Sequence, residues 1–350
     1  MHPEGCGTLD TMTVKNGGIG MNSALQNLTV QYSEAREAVK SVFRMESEYS
    51  YPVAANLYVS ANVPVDPDRL EDCKRLIKAE AGIFSNFRGN IKVPLAAKLA
   101  LSDDPQSRWM RAEANYEMLK EHFMRSEFLA LAALLLTDSA ADADVPALAA
   151  RGKALYSRMR KEHPFLTGQE DSVFAILLAQ SDRTDDALIA DMEACYRLLD
   201  ERFFKGDGIQ TASHVLAMIG GTPEEKANKV IALYDAIRDA GGKYGKNWEL
   251  SALAAFATDD TPVETIVSEM LAVDALLEGQ KGYGIFGCDR KTRMMHAAML
   301  VSAYHSREQT GLVNAIAQQS AVAMIAAQQA AICAMIACSS ASAAAAAGAH

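Results

Sequence analysis

Five short turns of this sequence pair an aromatic residue with a nearby glycine and then with polar groups that could do chemistry. They are FRGNIK from Phe87, FLTGQED from Phe165, FKGDGIQ from Phe204, YGKNWE from Tyr244 and FGCDR from Phe286. The candidate ligand-binding residues they carry are Arg88, Asn90, Glu170, Asp171, Asp207, Asn247, Trp248 and Glu249, with Lys246, Asp289 and Arg290 beside them. Polar groups that converge at helix N-termini favour an anionic or carbonyl ligand. The carboxylates of Glu170, Asp171, Asp207 and Glu249, if gathered, could instead share general acid–base work or take a divalent metal. A structural explanation competes with both. Aromatic-then-glycine is how a helix stops, the glycine left-handed and the ring packing back on the last turn. The acidic or amide residue that follows then caps the next helix near its positive end.

Other catalytic signals are weak. His214 and His296 fall at equivalent places on apolar helices, where a buried imidazole is ordinarily bonded to a neighbouring turn. His122 and His163 end helices, where a cation suits the negative pole. There is no HExxH, GxSxG, Walker or dinucleotide fingerprint. GKYGKN follows a helix rather than a strand, which argues against a phosphate loop. No metal-ligand spacing occurs, so neither a metal nor a cofactor is expected.

The elements that must position these turns follow a period. Pro67, Pro105, Pro146, Asp185, Pro223 and Pro262 fall in one register with spacings of 38, 41, 39, 38 and 39 residues. In each unit a short apolar helix precedes a small polar turn, and a longer amphipathic helix follows. Thr222, Pro223 and Glu225 have the types of an N-cap, a first helical position and the returning carboxylate of a capping box. Thr261, Pro262 and Glu264 repeat those types. Neither helix of a unit buries its surface alone, so consecutive hairpins must stack. The expectation is an all-α fold of stacked helical hairpins, each about 39 residues, forming an α/α superhelix or toroid, with about 60–75% helix against the roughly one third of ordinary proteins. The periodicity leaves open superhelix and closed toroid equally available.

Bulk properties narrow the function classes. The net charge is −10 with a pI near 5.3, and no run of Lys or Arg exceeds two, which argues against nucleic acid and anionic lipid as partners. The cysteines form no CxxC pair and read as reduced thiols in a cytoplasmic protein. Residues 1–20 are Gly-rich and aperiodic, and are expected to be a disordered leader. NGGIGM within that stretch also reads as a translated ribosome-binding site, which would make Met21 the true start. Residues 21–338 form the expected single helical-repeat domain, and 339–350 an Ala/Ser-rich flexible tail. Residues 311–337 carry no charge, yet Asn314, Gln318, Gln319, Gln328 and Gln329 interrupt them. No membrane span is expected there; the segment reads as the closing helix of the stack.

At LTGQEDSVFAILLA (166–179) and GDGIQTASHVLAMIGG (206–221) the chain resembles a bacterial family of uncharacterised, wholly helical proteins, from about Met21 onward. The resemblance implies an intracellular bacterial helical fold and no particular chemistry. The leading functional expectation is a non-catalytic binding or scaffold protein that holds a peptide, protein or small ligand on its inner surface or loop rim. An α/α-toroid enzyme using rim carboxylates on a small or saccharide-like substrate is the alternative, and a structural oligomeric component is a third.

Overall fold

The computed structural model describes residues 22–83, 85–204, 206–283, 288–309 and Ile332. Among these the chain is all-helical, about 72% helix with no strand. The helices are α1 (Ser23–Val42), α2 (Ser50–Ala61), α3 (Pro67–Glu80), α4 (Lys92–Ala100), α5 (Pro105–Leu119), α6 (Glu127–Ser139) and α7 (Val145–Glu162). They continue as α8 (Asp171–Leu178), α9 (Asp185–Arg202), α10 (Asp207–Ala217), α11 (Pro223–Asp239), α12 (Leu250–Ala254), α13 (Val263–Glu278) and α14 (Arg290–Gln309).

The periodic prolines mark where the odd-numbered helices begin. Pro67, Pro105, Asp185 and Pro223 are the first residues of α3, α5, α9 and α11, and Pro146 is the second of α7. A free first-turn amide needs an acceptor, and the residue before α3, α5, α9 and α11 supplies one, whereas Asp144 before α7 does not. The Asp66 carboxylate accepts from Asp68 and Arg69, Asp104 from Ser107, and the Thr184 hydroxyl from Ala187. Thr222 and Glu225 form the expected capping box. The second Thr-Pro is built otherwise. α13 opens at Val263 with Pro262 in the cap place, and the Thr261 amide donates to Asp259 Oδ1 at 2.9 Å. Proline has no side-chain acceptor, so α13 has no side-chain cap, and Asp259 instead fixes the turn ahead of it.

Even-numbered helices up to α12 are largely apolar and buried; α6, with the sequence EFLALAALLLTDS, has nine buried residues in thirteen. Odd-numbered helices keep one polar face outward. From α5 to α11 each odd helix is pinned to the next by a recurring ring contact. Phe123 after α5 meets Tyr156 of α7 at 5.8 Å, His163 after α7 meets Tyr196 of α9 at 4.2 Å, and Phe203 after α9 meets Tyr234 of α11 at 4.9 Å. Such aromatic pairs contribute roughly 0.5–1.5 kcal/mol beyond the area they bury.

Successive odd helices pack side by side from α5 through α7, α9 and α11 to α13, as do the even ones from α6 through α8, α10 and α12 to α14. α1 packs on α3 and also on α13 and α14, and α2 packs on α4 and on α14. Polar contacts join these distant segments. Asn22 donates to the Tyr304 hydroxyl at 2.7 Å, the Tyr32 and Tyr283 hydroxyls are 2.7 Å apart, and Arg36 donates to the Lys281 carbonyl at 2.6 Å. Among the described residues no helix is long and apolar enough to cross a membrane. The expected leader, the Met21 start, and the closing helix and tail lie outside the described residues, save Ile332, which is helical and buried in the core.

Candidate functional site

The starts of α8, α10, α12 and α14 each carry an acidic residue, and three of the four starts turn a carboxylate onto nearby backbone amides. Asp171 Oδ2 accepts from Gly168 at 2.9 Å and Glu249 Oε2 from Asn247 at 3.0 Å. Asp289 Oδ1 accepts from both Lys291 and Thr292. Glu127, at the start of α6, does the same across a gap and accepts from Ile91 in the turn before α4 at 3.1 Å. Of these carboxylates only Asp289 caps the helix it precedes; Asp171 and Glu249 reach back to the turn ahead of theirs, and α8, α10 and α12 have no side-chain cap.

Capping does not account for the group at α8 and α10. Asp171 is only 2% exposed, and its Oδ1 lies 3.2 Å from Nδ1 of His214, which is wholly buried. That approach is within ion-pair reach but off a hydrogen-bonding line, and neither ring nitrogen of His214 has a hydrogen-bond partner. Phe174 packs on the imidazole at 5.5 Å between centroids. Beside it, Gln210 donates to the Thr167 hydroxyl at 3.1 Å. The Glu170 carboxyl is held above the ordinary carboxylate range, first by burial and then by the neighbouring charges of Asp171 and Asp207. It folds back so closely over Gly168 that a side chain there would collide with its oxygens. A carboxylic acid that keeps its proton more readily, next to a carboxylate–imidazole pair, can donate and accept protons or hydrogen bonds at one place.

The aromatic residues of these turns depart from the sequence expectation. Phe87 and Tyr244 pack inward as helix stops should; Phe87 meets Trp109 and Tyr116, each at 5.1 Å. Phe165 and Phe204 do not, being 99% and 89% exposed. The packing role after α9 is taken by Phe203, which leaves Phe204 free to point outward, and after α7 by His163, which leaves Phe165 free. Phe286 lies outside the described residues. Both exposed rings belong to the turns that lead into α8 and α10, the helices of the Asp171–His214 pair. The Lys246 ammonium stands 5.7 Å from the centre of the Phe204 ring.

The eight sequence candidates therefore fall into three places. Glu170, Asp171 and Asp207 come together, Asp207 exposed at the first position of α10. Asn247 adjoins them, because its backbone lies so close to Gly208 that only glycine fits there. Trp248 is half-buried against the core, and Glu249 is buried with its carboxyl raised by that burial. Arg88 and Asn90 are elsewhere, in the turn before α4. Sequence reasoning missed Glu127 and did not pair His214 with Asp171. One signal was present: Asp171 and His214 are 43 residues apart, as are Thr167 and Gln210, one repeat plus about one helical turn. Among the described residues no group of three or more His, Cys, Asp or Glu is arranged to hold a metal ion.

The chain belongs to the family described as "Protein of unknown function (DUF4003)", whose model matches residues 32–330. It is similar to "Uncharacterized protein YeaA" of Bacillus subtilis (strain 168), with 26% identity over 215 residues. That match covers 60% of this chain and 64% of the relative, so the chain spans less than two thirds of the relative's length. No solved structure matches.

Proposed function

We propose that this member of the family is a ligand-binding protein whose stacked hairpins, a helical repeat of about 39 residues, close into an α/α toroid. It would hold a small, saccharide-like ligand at the rim over α8 and α10. Closure is supported by the packing of α1 and α2 on α13 and α14, and by the hydrogen bonds from Asn22, Tyr32 and Arg36 to the far end of the chain. A cytoplasmic setting suits the free, buried Cys73, Cys195 and Cys288. The observation that carries the binding reading is the pair of exposed rings, Phe165 and Phe204, on the turns that lead into the helices of the buried Asp171–His214 pair. Exposed aromatic rings give a flat apolar platform, and the acidic groups beside them accept hydrogen bonds from hydroxyls.

A panel of mono- and oligosaccharides screened by the shift in melting temperature tests this. Wild type is expected to be stabilised by at least one member, and Phe165→Ala/Phe204→Ala to melt as before with that stabilisation gone. A panel that stabilises neither protein, or both equally, contradicts the reading. The raised carboxyl of Glu170 beside Asp171 and His214 favours a second reading, in which the same site is an enzyme acting on the bound ligand. Turnover of the stabilising saccharide by wild type, and its loss in Glu170→Gln with binding kept, separates the enzyme from the binder.

A further inference from the structure

The protein is acidic overall, but one cavity has the opposite character. It measures about 250 Å³ and lies where α3 meets the end of α1 and the turn before α4. Its apolar lining comes from Phe43 and Ile77, both buried in the core. Four cations, Lys74, Lys78, Arg88 and Lys92, also line it, against the single carboxylate of Glu46.

Two of those cations are matched. Lys92 pairs with Glu46 at 2.6 Å, and Lys74 pairs with Glu71 at 3.0 Å while donating to the Val42 carbonyl and lying over the Phe43 ring. The other two are not. Lys78 and Arg88 have no carboxylate partner among the described residues. Arg88 donates to the Lys78 carbonyl, and its Nε is buried with no acceptor. A buried donor without a partner costs free energy unless something outside the chain supplies an acceptor. Two uncompensated positive charges over an apolar floor match a dianionic group on an apolar body, and the volume is below the roughly 300–1,000 Å³ of drug-sized sites.

We propose that this cavity binds a small phosphate monoester, its phosphate held by Lys78 and Arg88 and its apolar body seated on Phe43 and Ile77. Guanidinium–phosphate contacts are charge-assisted and specific in geometry, and a neighbouring ammonium adds to them as a point charge. The site is independent of the rim over α8 and α10 and does not rest on the reading given for it.

Calorimetric titration of the full chain with phenyl phosphate, phenol and inorganic phosphate tests the proposal. Phenyl phosphate should bind, and at least about tenfold more tightly than either half of it alone. Lys78→Ala, at an exposed position whose loss cannot disturb the core, should weaken it about fivefold or more, and Arg88→Met about tenfold or more; Arg88→Lys should recover part of the loss. Lys243→Ala, at an exposed lysine outside both sites, should leave the titration unchanged. Vesicles containing phosphatidic acid provide a second arm. Sedimentation of wild type, but not Lys78→Ala, with them would support the same site and assign the phosphate monoester to a lipid. No heat with millimolar phenyl phosphate and no sedimentation, or binding unaltered in both Lys78→Ala and Arg88→Met, would overturn the proposal.

Discussion

His305 on α14 and His214 on α10 are both buried, both beside carboxylates, and treated in opposite ways. His305 is saturated: Nδ1 is 2.6 Å from Asp259 Oδ2 and Nε2 is 2.7 Å from Glu269 Oε2. Burial disfavours its charge, but the two carboxylates more than offset this and lift its pKa to about 9. His214 has one carboxylate nearby and no hydrogen bond on either nitrogen. The first arrangement ties α14 to α13 and to the turn ahead of it, and nothing is left over. The second leaves polar capacity unspent inside a well-packed region, where natural proteins rarely leave it without a use. Saturation marks structure, and the unsaturated site is where a ligand should be sought.

Removing one member of each pair should sharpen the contrast most. Asp259→Ala leaves the buried imidazolium with Glu269 alone and should cost about 3 kcal/mol, the lower end of the range for breaking buried ion pairs. His214→Leu removes two unsatisfied nitrogens and replaces them with an apolar side chain, so its cost should stay within about 1 kcal/mol. Urea unfolding of both variants measures this, and equal losses would erase the distinction.

The pH dependence follows from the same pair of environments. His305 titrates near 9 when folded against 6.5 when free, so its contribution is complete below pH 6.5 and is lost as pH rises through about 9. A difference of that size corresponds to roughly 3 kcal/mol. His296 goes the other way. Burial, and then the nearby Arg36 charge, push its pKa down to about 3, and Tyr283 contacts its Nδ1 at 2.8 Å. Its contribution is present above pH 6.5 and fades as pH falls towards 3. Denaturation curves across this range should show His305→Gln flattening the alkaline limb and His296→Gln the limb between about pH 6.5 and 3.

The smallest effects come from two caps that look alike in sequence. Thr222→Ala removes a hydroxyl that accepts from the Glu225 amide, and should cost about 1 kcal/mol. Thr261→Ala should fall within about 0.5 kcal/mol of wild type, because Asp259 serves that turn instead. Thermal melts of the two variants would contradict this if the losses were the same.

These caps show how far sequence reasoning reaches. Helix starts were legible because proline and a capping side chain act within one turn of the backbone, so Pro67, Pro105 and Pro223 needed no tertiary knowledge. The direction of an aromatic ring was not: Phe203 and Phe204 are adjacent and identical, and only packing against Tyr234 decides which one turns inward. Likewise the Asp171–His214 pair depends on the one-turn stagger between α8 and α10, which a period of 38–41 residues does not specify. The basic cavity draws on three separate segments, and no local pattern links Phe43, Lys78 and Arg88.

Native mass spectrometry of the chain purified from the host that encodes it, beside the Phe165→Ala/Phe204→Ala and His214→Leu variants, tests the central claim most directly. The account predicts that wild type retains a small saccharide-like molecule, released on denaturation, and that both variants melt normally without it. A retained molecule that survives in both variants, or a wild-type chain that retains nothing and is stabilised by no saccharide, would contradict it.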